Sequence, residues 1–325
     1  MGAAIIEQLI AILMTFFVAF APGFVLSDDV FASKKENILL NAVLISDTHI
    51  DAGEIVLQGT LASGLKSLND SKSTIDSLVV TGDLTNYGDE KSIAAFYDIV
   101  DKYSPVRTLI AAAGNHEIGH VEGATQEEAR QYVMKHYNEF MGTGFEKIYF
   151  SYEVNGYKFI VLSDEADDSW DFPEISDEQI AFLDAELAAG TAQGNPVFVC
   201  CHWPLAGNNG QDIIWADGCI KAEYGDKIRA TLEKYKNVFY LSGHVHTGVN
   251  GEFINKVFGF NYVETTNGVT YVNLPTFGLV NRFGVPWPCT GVMMEVYEDE
   301  ILFRPRNFVG GRWYARYEMS VGLVK

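Results

Sequence analysis

Five short polar segments stand where apolar runs give out: Asp47-Thr48-His49, Gly82-Asp83, Gly114-Asn115-His116-Glu117, His202 and Gly243-His244-Val245-His246. If they serve one site, the fold must bring several distant strand ends to one place. Open α/β sheets do this by siting ligands beyond the carboxyl ends of their strands. This requirement excludes a string of independent small modules and points to one domain over residues 37–325 with a β-rich C-terminal part.

Each segment alone is weak. A lone Asp-x-His or His-x-His is more often a solvated turn than a ligand pair, Gly-Asp is a turn signal, and a buried histidine such as His202 is usually a hydrogen-bonded core residue. The set is another matter, because five of the seven histidines fall inside these segments. Together they offer Asp47, His49, Asp83, Asn115, His202, His244 and His246, a mixed oxygen and nitrogen set suited to two cations, with Asp83 able to bridge and count twice. Side chains at i and i+2 share one side of an extended backbone, so each alternate pair can grip a metal. Glycine before Asp83, Asn115 and His244 permits unusual backbone angles and close approach.

The intervening sequence predicts strands over 37–46, 75–81 and 106–113, alternating with helices from Leu57 and over 89–103. A helix over 125–141 follows, and then a hairpin at Asn155-Gly156 begins a second sheet or an antiparallel edge. Ser176-Asp177-Glu178-Gln179 has the form of a capping box. A strand over 197–201 delivers His202, a helix over 222–235 precedes a strand over 238–242, and turns at Asn267-Gly268 and Glu298-Asp299-Glu300 mark a β-rich end. The elements suit an α/β fold of two stacked mixed β-sheets with helices outside.

From about 40 to 248 the chain resembles the calcineurin-like metallophosphoesterase superfamily, whose ordered D-x-H, G-D, G-N-H-[DE], H and G-H-x-H elements are all matched. The resemblance implies a four-layer α-β-β-α sandwich. It also implies one metal on Asp47, His49, Asp83 and His246, and a second on Asp83, Asn115, His202 and His244, with His116 beside the site without ligating. An imidazole there suits proton delivery to a departing alkoxide, so His116 is the expected catalytic acid, with bracing of the loop the alternative. Metals of this class are divalent or trivalent Mn, Fe or Zn. Glutamate at 117 replaces the commoner aspartate, as in purple acid phosphatases and acid sphingomyelinase-like diesterases. The metal-binding tyrosine of the purple enzymes is absent, because its position is Asn86 and Tyr87 lies one place on. Gly82-Asp83-Leu84-Thr85-Asn86-Tyr87-Gly88 is more similar to bacterial phosphodiesterase-type members.

The expected activity is hydrolysis of a phosphodiester of cyclic nucleotide, nucleotide or lipid headgroup type by a metal-bridging hydroxide. Phosphomonoester hydrolysis, by an acid phosphatase or nucleotidase, stands second. A noncatalytic interaction module on the same fold stands last, since such modules are expected to lose ligands and every ligand position is filled. The net charge of −20, without a Lys/Arg-rich run, argues against long nucleic acid and for a small phosphate-ester substrate. The gly- and Asn-rich segment 203–218 is the expected variable wall of the pocket, with Asn208, Asn209 and Trp215 facing a base or headgroup, and Arg282 is a candidate phosphate contact. His120 reads as a loop histidine and His136 as structural.

Residues 9–22 are almost wholly apolar, and residues 1–27 read as a signal-peptide-like or membrane-anchoring segment. The absence of Lys or Arg before Lys34, with Glu7 in place, makes it irregular, and a packed helix is the alternative. The expectation is a secreted or extracytoplasmic protein, with a cytoplasmic one the alternative and possible membrane association through this segment. Cys200 and Cys201 read as reduced core residues, or one of them faces the site; Cys219 and Cys289 can pair if exported, and nothing in the chain sets its oligomeric state.

Overall fold

The computed structural model describes residues 30–119, 124–166, 172–210, 218–282, 284–285 and 287–325. The N-terminal segment, His120 and Trp215 lie outside them. Two mixed sheets face each other. The first is built from β1 (Leu40–Ile45), β2 (Ser77–Val80), β3 (Leu109–Ala111), β10 (Thr290–Val296), β11 (Glu300–Asn307), β12 (Arg312–Trp313) and β13 (Met319–Gly322). Its order is β12-β11-β10-β1-β2-β3, with β13 also on β11. The second comprises β4 (Phe150–Val154), β5 (Tyr157–Val161), β6 (Val197–Cys200), β7 (Val238–Ser242), β8 (Val263–Thr266) and β9 (Val269–Asn273), in the order β4-β5-β6-β7-β9-β8.

β1, β2 and β3 run parallel, as do β5, β6, β7 and β9. Parallel strands covered on both faces must be apolar throughout, and every residue of β1, β2, β6 and β7 is buried. Phe159, Phe198 and Phe239 stand in register across the second sheet. Their rings stack at 4.9 and 5.5 Å, and Phe239 reaches Phe303 of β11 at 6.1 Å, which joins the two inner faces. Each fully buried phenylalanine contributes roughly 1.5–3 kcal/mol over an exposed one.

Helices α1 (Ile55–Ser67), α2 (Glu90–Tyr103), α3 (Asn115–Ile118), α4 (Gln126–Met141), α5 (Asp177–Thr191), α6 (Ala222–Leu232) and α7 (Glu252–Phe258) complete the described chain. α1, α2 and α4 pack in sequence as one group, while α5 packs on α6 and on β5 and β6. The expected four-layer sandwich is the fold observed. No helix among the described residues is long and apolar enough to cross a membrane.

Local chemistry explains most element ends. Asp89 caps α2 by accepting from the amides of Lys91 and Ser92, and Thr125 with Glu128 closes a reciprocal capping box on α4. Asn155-Gly156 and Asn267-Gly268 all have positive φ, as two-residue hairpins require. The second capping box is only half formed. Ser176 accepts from Gln179 N, but the Gln179 side chain bonds Ser163 and Glu165, and Glu165 takes the Ser176 amide. Nor is there a Cys219–Cys289 disulfide, since all four cysteines are free and buried. Cys289 sits at the start of β10 against Thr60 of α1, while Cys219 adjoins the Leu205–Ile220 bridge that follows β6 in the other sheet.

Candidate metal centre

Every polar segment leaves the carboxyl end of a parallel strand. Asp47 and His49 follow β1, Asp83 follows β2, Asn115 opens α3 just after β3, His202 follows β6, and His244 and His246 follow β7. The loops stay paired beyond the strands. Asp47 N donates to Gly82 O and His49 N to Asp83 O, both at 3.0 Å. The chain leaving β9 then crosses between sheets, Leu274 N donating to Ser242 O, Phe277 N to Ser46 O and Gly278 N to Asp47 O.

The backbone there is not extended, contrary to the i, i+2 reasoning from sequence. Asp47, His49, Asp83, His244 and His246 have φ of 54, 49, 48, 71 and 52°. Aspartate and histidine enter this left-handed region more readily than most residues, and alternating left-handed residues turn both members of each pair into one pocket. The concentration of strain at one spot is itself a mark of a functional site. Gly82 meets two demands at once, with φ of 100° and space for a Cβ only 2.5 Å from His202 Nδ1.

The side chains converge in two groups. Ligand atoms of Asp47, His49, Asp83 and His246 lie within 4.8 Å of one another, and so do those of Asp83, His202 and His244. Asn115 joins the second, its Oδ1 3.1 Å from both His202 Nε2 and His244 Nδ1. Asp83 Oδ2 is 3.2 Å from His202 Nε2 and 3.8 Å from His49 Nε2, so it belongs to both groups. Thus all seven residues singled out from sequence are brought together.

Their electrostatics suit cations. Burial opposes charge on Asp47, but His246 at 3.1 Å and then His202 outweigh it and hold the carboxyl at about 2. Asp83 is likewise driven well below the usual range, burial being outweighed first by His202. Burial lowers His49 to about 4 and holds His244 well below the usual imidazole range, while Asp83 overcomes burial and lifts His202 to about 9. Two buried carboxylates thus face two imidazoles, His49 and His244, that burial keeps neutral. The rings also face one another, His49 Nε2 to His246 Nε2 at 3.0 Å and His202 Nε2 to His244 Nδ1 at 3.1 Å. Lone pairs so placed repel unless a proton or cation lies between them. His202 Nδ1–H donates to Thr81 O at 2.8 Å, which orients the ring and leaves Nε2 for a ligand. The donor set therefore fits two cations that share Asp83.

His116 sits at the edge. Its Nδ1–H donates to Asn86 O at 2.7 Å, its amide to Asp83 Oδ1 at 3.2 Å, and its Nε2 points inward, 3.8 Å from Asp83 Oδ2. Glu117 has a function that the sequence left undefined. Its Oε1 accepts from Thr85 N and Oγ1 and its Oε2 from Gly114 N, so one buried carboxylate ties the loop after β2 to the loop after β3. Thr276 was missed altogether, although its Oγ1 donates to Asp47 O at 2.9 Å. An isolated threonine after a β-run gives no signal of such a bond.

Asn208 and Asn209 are corrections. Both are buried, Asn208 bonded to Glu264 and Arg229, and Asn209 to Glu264 and the carbonyls of Asn261 and Tyr271, so their amides serve the β8–β9 ribbon rather than a substrate. Arg282 is exposed and its amide donates to His246 O at 2.7 Å. His136 packs between Tyr97 and Tyr132, in keeping with a structural role.

Paired cation-binding groups at the strand ends of a two-sheet frame define a dimetal-type centre. The family model for calcineurin-like phosphoesterases matches residues 40–248, and the chain belongs to that family. A dimetal phosphatase from Danio rerio shares the fold, with 12% identity, a TM-score of 0.62, and coverage of 89% of this chain and 100% of that one. An NAD nucleotidase from Haemophilus influenzae matches at 14% identity and a TM-score of 0.44, over 80% of this chain and 47% of its own. No curated protein matches the chain.

Proposed function

We propose that the chain hydrolyses a small phosphodiester, with one cation held by Asp47, His49, Asp83 and His246 and the other by Asp83, Asn115, His202 and His244. The observation that carries this reading is the double membership of Asp83, which places two donor groups side by side. When bound, such a cation pair would neutralise charge on a phosphoryl group and lower the pKa of a coordinated water. His202 is kept in a ligating tautomer by Thr81 O, and Glu117 fixes the spacing of the loops that carry Asp83 and Asn115. His116, oriented by Asn86 O, presents Nε2 to the centre and delivers a proton to the departing oxygen. The preference for a diester over a monoester is supported by the likeness of the 82–88 segment to diesterase-type members.

The test is turnover of bis-p-nitrophenyl phosphate against p-nitrophenyl phosphate after chelation and reconstitution with manganese, iron or zinc. Faster diester turnover is expected. A monoester preference overturns the diester reading, and failure on both substrates at two metals per chain overturns the catalytic assignment.

A further inference from the structure

Four of the twelve large apolar side chains exposed among the described residues, Ile55, Val56, Trp287 and Val309, line one open groove of about 690 Å³ together with Thr60 and Cys289. That volume falls in the range of small-molecule sites, roughly 300–1,000 Å³. Apolar clustering of this kind on a protein of net charge −20 is not needed for stability and marks a binding surface.

Topology puts the groove beside the metal centre. β10 pairs antiparallel with β1, and Thr290 at its start is opposite Asn307 at the end of β11. The groove residues 287–289 and 307–310 therefore lie at the same end of the sheet as Asp47. Neighbouring strands are about 4.8 Å apart, so the groove floor is only one and two strands away. On the other side, α1 begins at Ile55, six residues after His49. Leu279 and Val280 belong to the segment whose ends are tied to the centre, through Gly278 N to Asp47 O and Arg282 N to His246 O. The groove and the 279–280 segment are thus both placed at the end of the sheet that carries the centre.

We propose that this groove binds an apolar chain carried by the substrate, so that the hydrolysed ester is amphiphilic, with its phosphoryl group at the metal centre and a hydrocarbon arm against Ile55, Val56, Trp287 and Val309. The inference rests on the phosphoesterase reading above. It commits to a ligand arm rather than a second copy of the chain, because the groove is concave and lies at the end of the sheet that also carries Asp47.

The experiment uses the full metal-loaded chain and a series of alkyl 4-nitrophenyl phosphates from methyl to hexyl, each below its critical micelle concentration. A fully buried methylene is worth a factor of about four, so even partial burial gives a rise in kcat/KM of at least about tenfold across the series. Val56→Asp and Trp287→Asp, both at exposed positions, are expected to collapse the hexyl-to-methyl ratio toward one. Val324→Asp, at an exposed position near the C-terminus, is expected to leave it as in the unmodified chain. A flat series with the methyl ester turned over overturns the groove assignment and leaves the hydrolase reading intact. No turnover of any member overturns that reading itself. A protein that sediments as a dimer dispersed by the same two substitutions assigns the groove to a second copy and also overturns the proposal.

Discussion

His116→Asn is the most discriminating single change. Asparagine places its amide nitrogen near the position of Nδ1, so the bond to Asn86 O, 2.7 Å long in the parent, is kept while the inward Nε2 is removed. The structural cost is at most about 1 kcal/mol, the net worth of one hydrogen bond. The chemical cost depends on the leaving group. A placed acid is worth about 10² to 10⁴ in rate, or roughly 2.7–5.4 kcal/mol of barrier, but only where the departing oxygen needs a proton. A glycerol phosphodiester must expel an alkoxide and is expected to lose that full factor. Ethyl 4-nitrophenyl phosphate expels a stabilised phenolate and is expected to lose less than about tenfold. The assay is kcat on both substrates with metal content measured on the same samples. His116 is only 22% exposed at its side chain, so it can exchange its proton with solvent and still face the centre. Equal losses on both substrates at unchanged metal content refute proton delivery and leave His116 as a brace between the Asn86 and Asp83 loops.

Asp83→Asn is expected to abolish binding of both cations, because Asp83 belongs to both donor groups, whereas Asp47→Asn retains about one per chain; atomic emission on purified protein distinguishes the two. The guanidinium of Arg306 is buried between Phe31 at 4.0 Å and Trp313 at 4.7 Å, its Nε and Nη1 without hydrogen-bond partners, and burial foremost lowers its pKa to about 10. Arg306→Met is therefore expected to be neutral or to stabilise by up to about 2 kcal/mol, and a urea midpoint showing a clear loss contradicts this. Asp164 accepts from the amides of Ala166 and Glu174 through one oxygen, yet burial raises its carboxyl from 3.8 to about 6. The folded state then holds a proton that the unfolded chain releases, so stability from this group falls as pH rises through that window. Asp164→Asn keeps both bonds and is expected to gain on the order of 1–3 kcal/mol at neutral pH, with no gain below the lower value; a constant difference in denaturant melts across that range rules the explanation out.

The fold class and the metal donors were legible because they rest on local and repeated patterns. Short apolar runs such as 77–80 and 238–242, bounded downstream by glycine, read as buried strands, and a ligand within three residues of each is visible without knowing where the strands go. Hairpins at Asn155-Gly156 and Asn267-Gly268 were legible for the same reason, since two adjacent residues carry the whole geometry. Long-range partners were not. The sequence could not show that Glu117 bonds Thr85, that Thr276 holds Asp47 O, or that Gln179 leaves its helix cap for Ser163. Nor could it show that Asn208 and Asn209, polar and in a promising loop, are spent on Glu264 and Asn261.

The left-handed turns at Asp47, His49, Asp83, His244 and His246 belong to the same class. Residue type permits them, but only the pairing of loops beyond the two sheets selects them. The sequence by itself determined which atoms are available to a cation and that they leave strand ends. The tertiary structure decided which of them share Asp83 and which ring nitrogen of His202 and of His116 keeps its proton. It also decided that an apolar groove opens one strand away, because those relations depend on contacts between residues far apart in the chain, where no periodicity carries information.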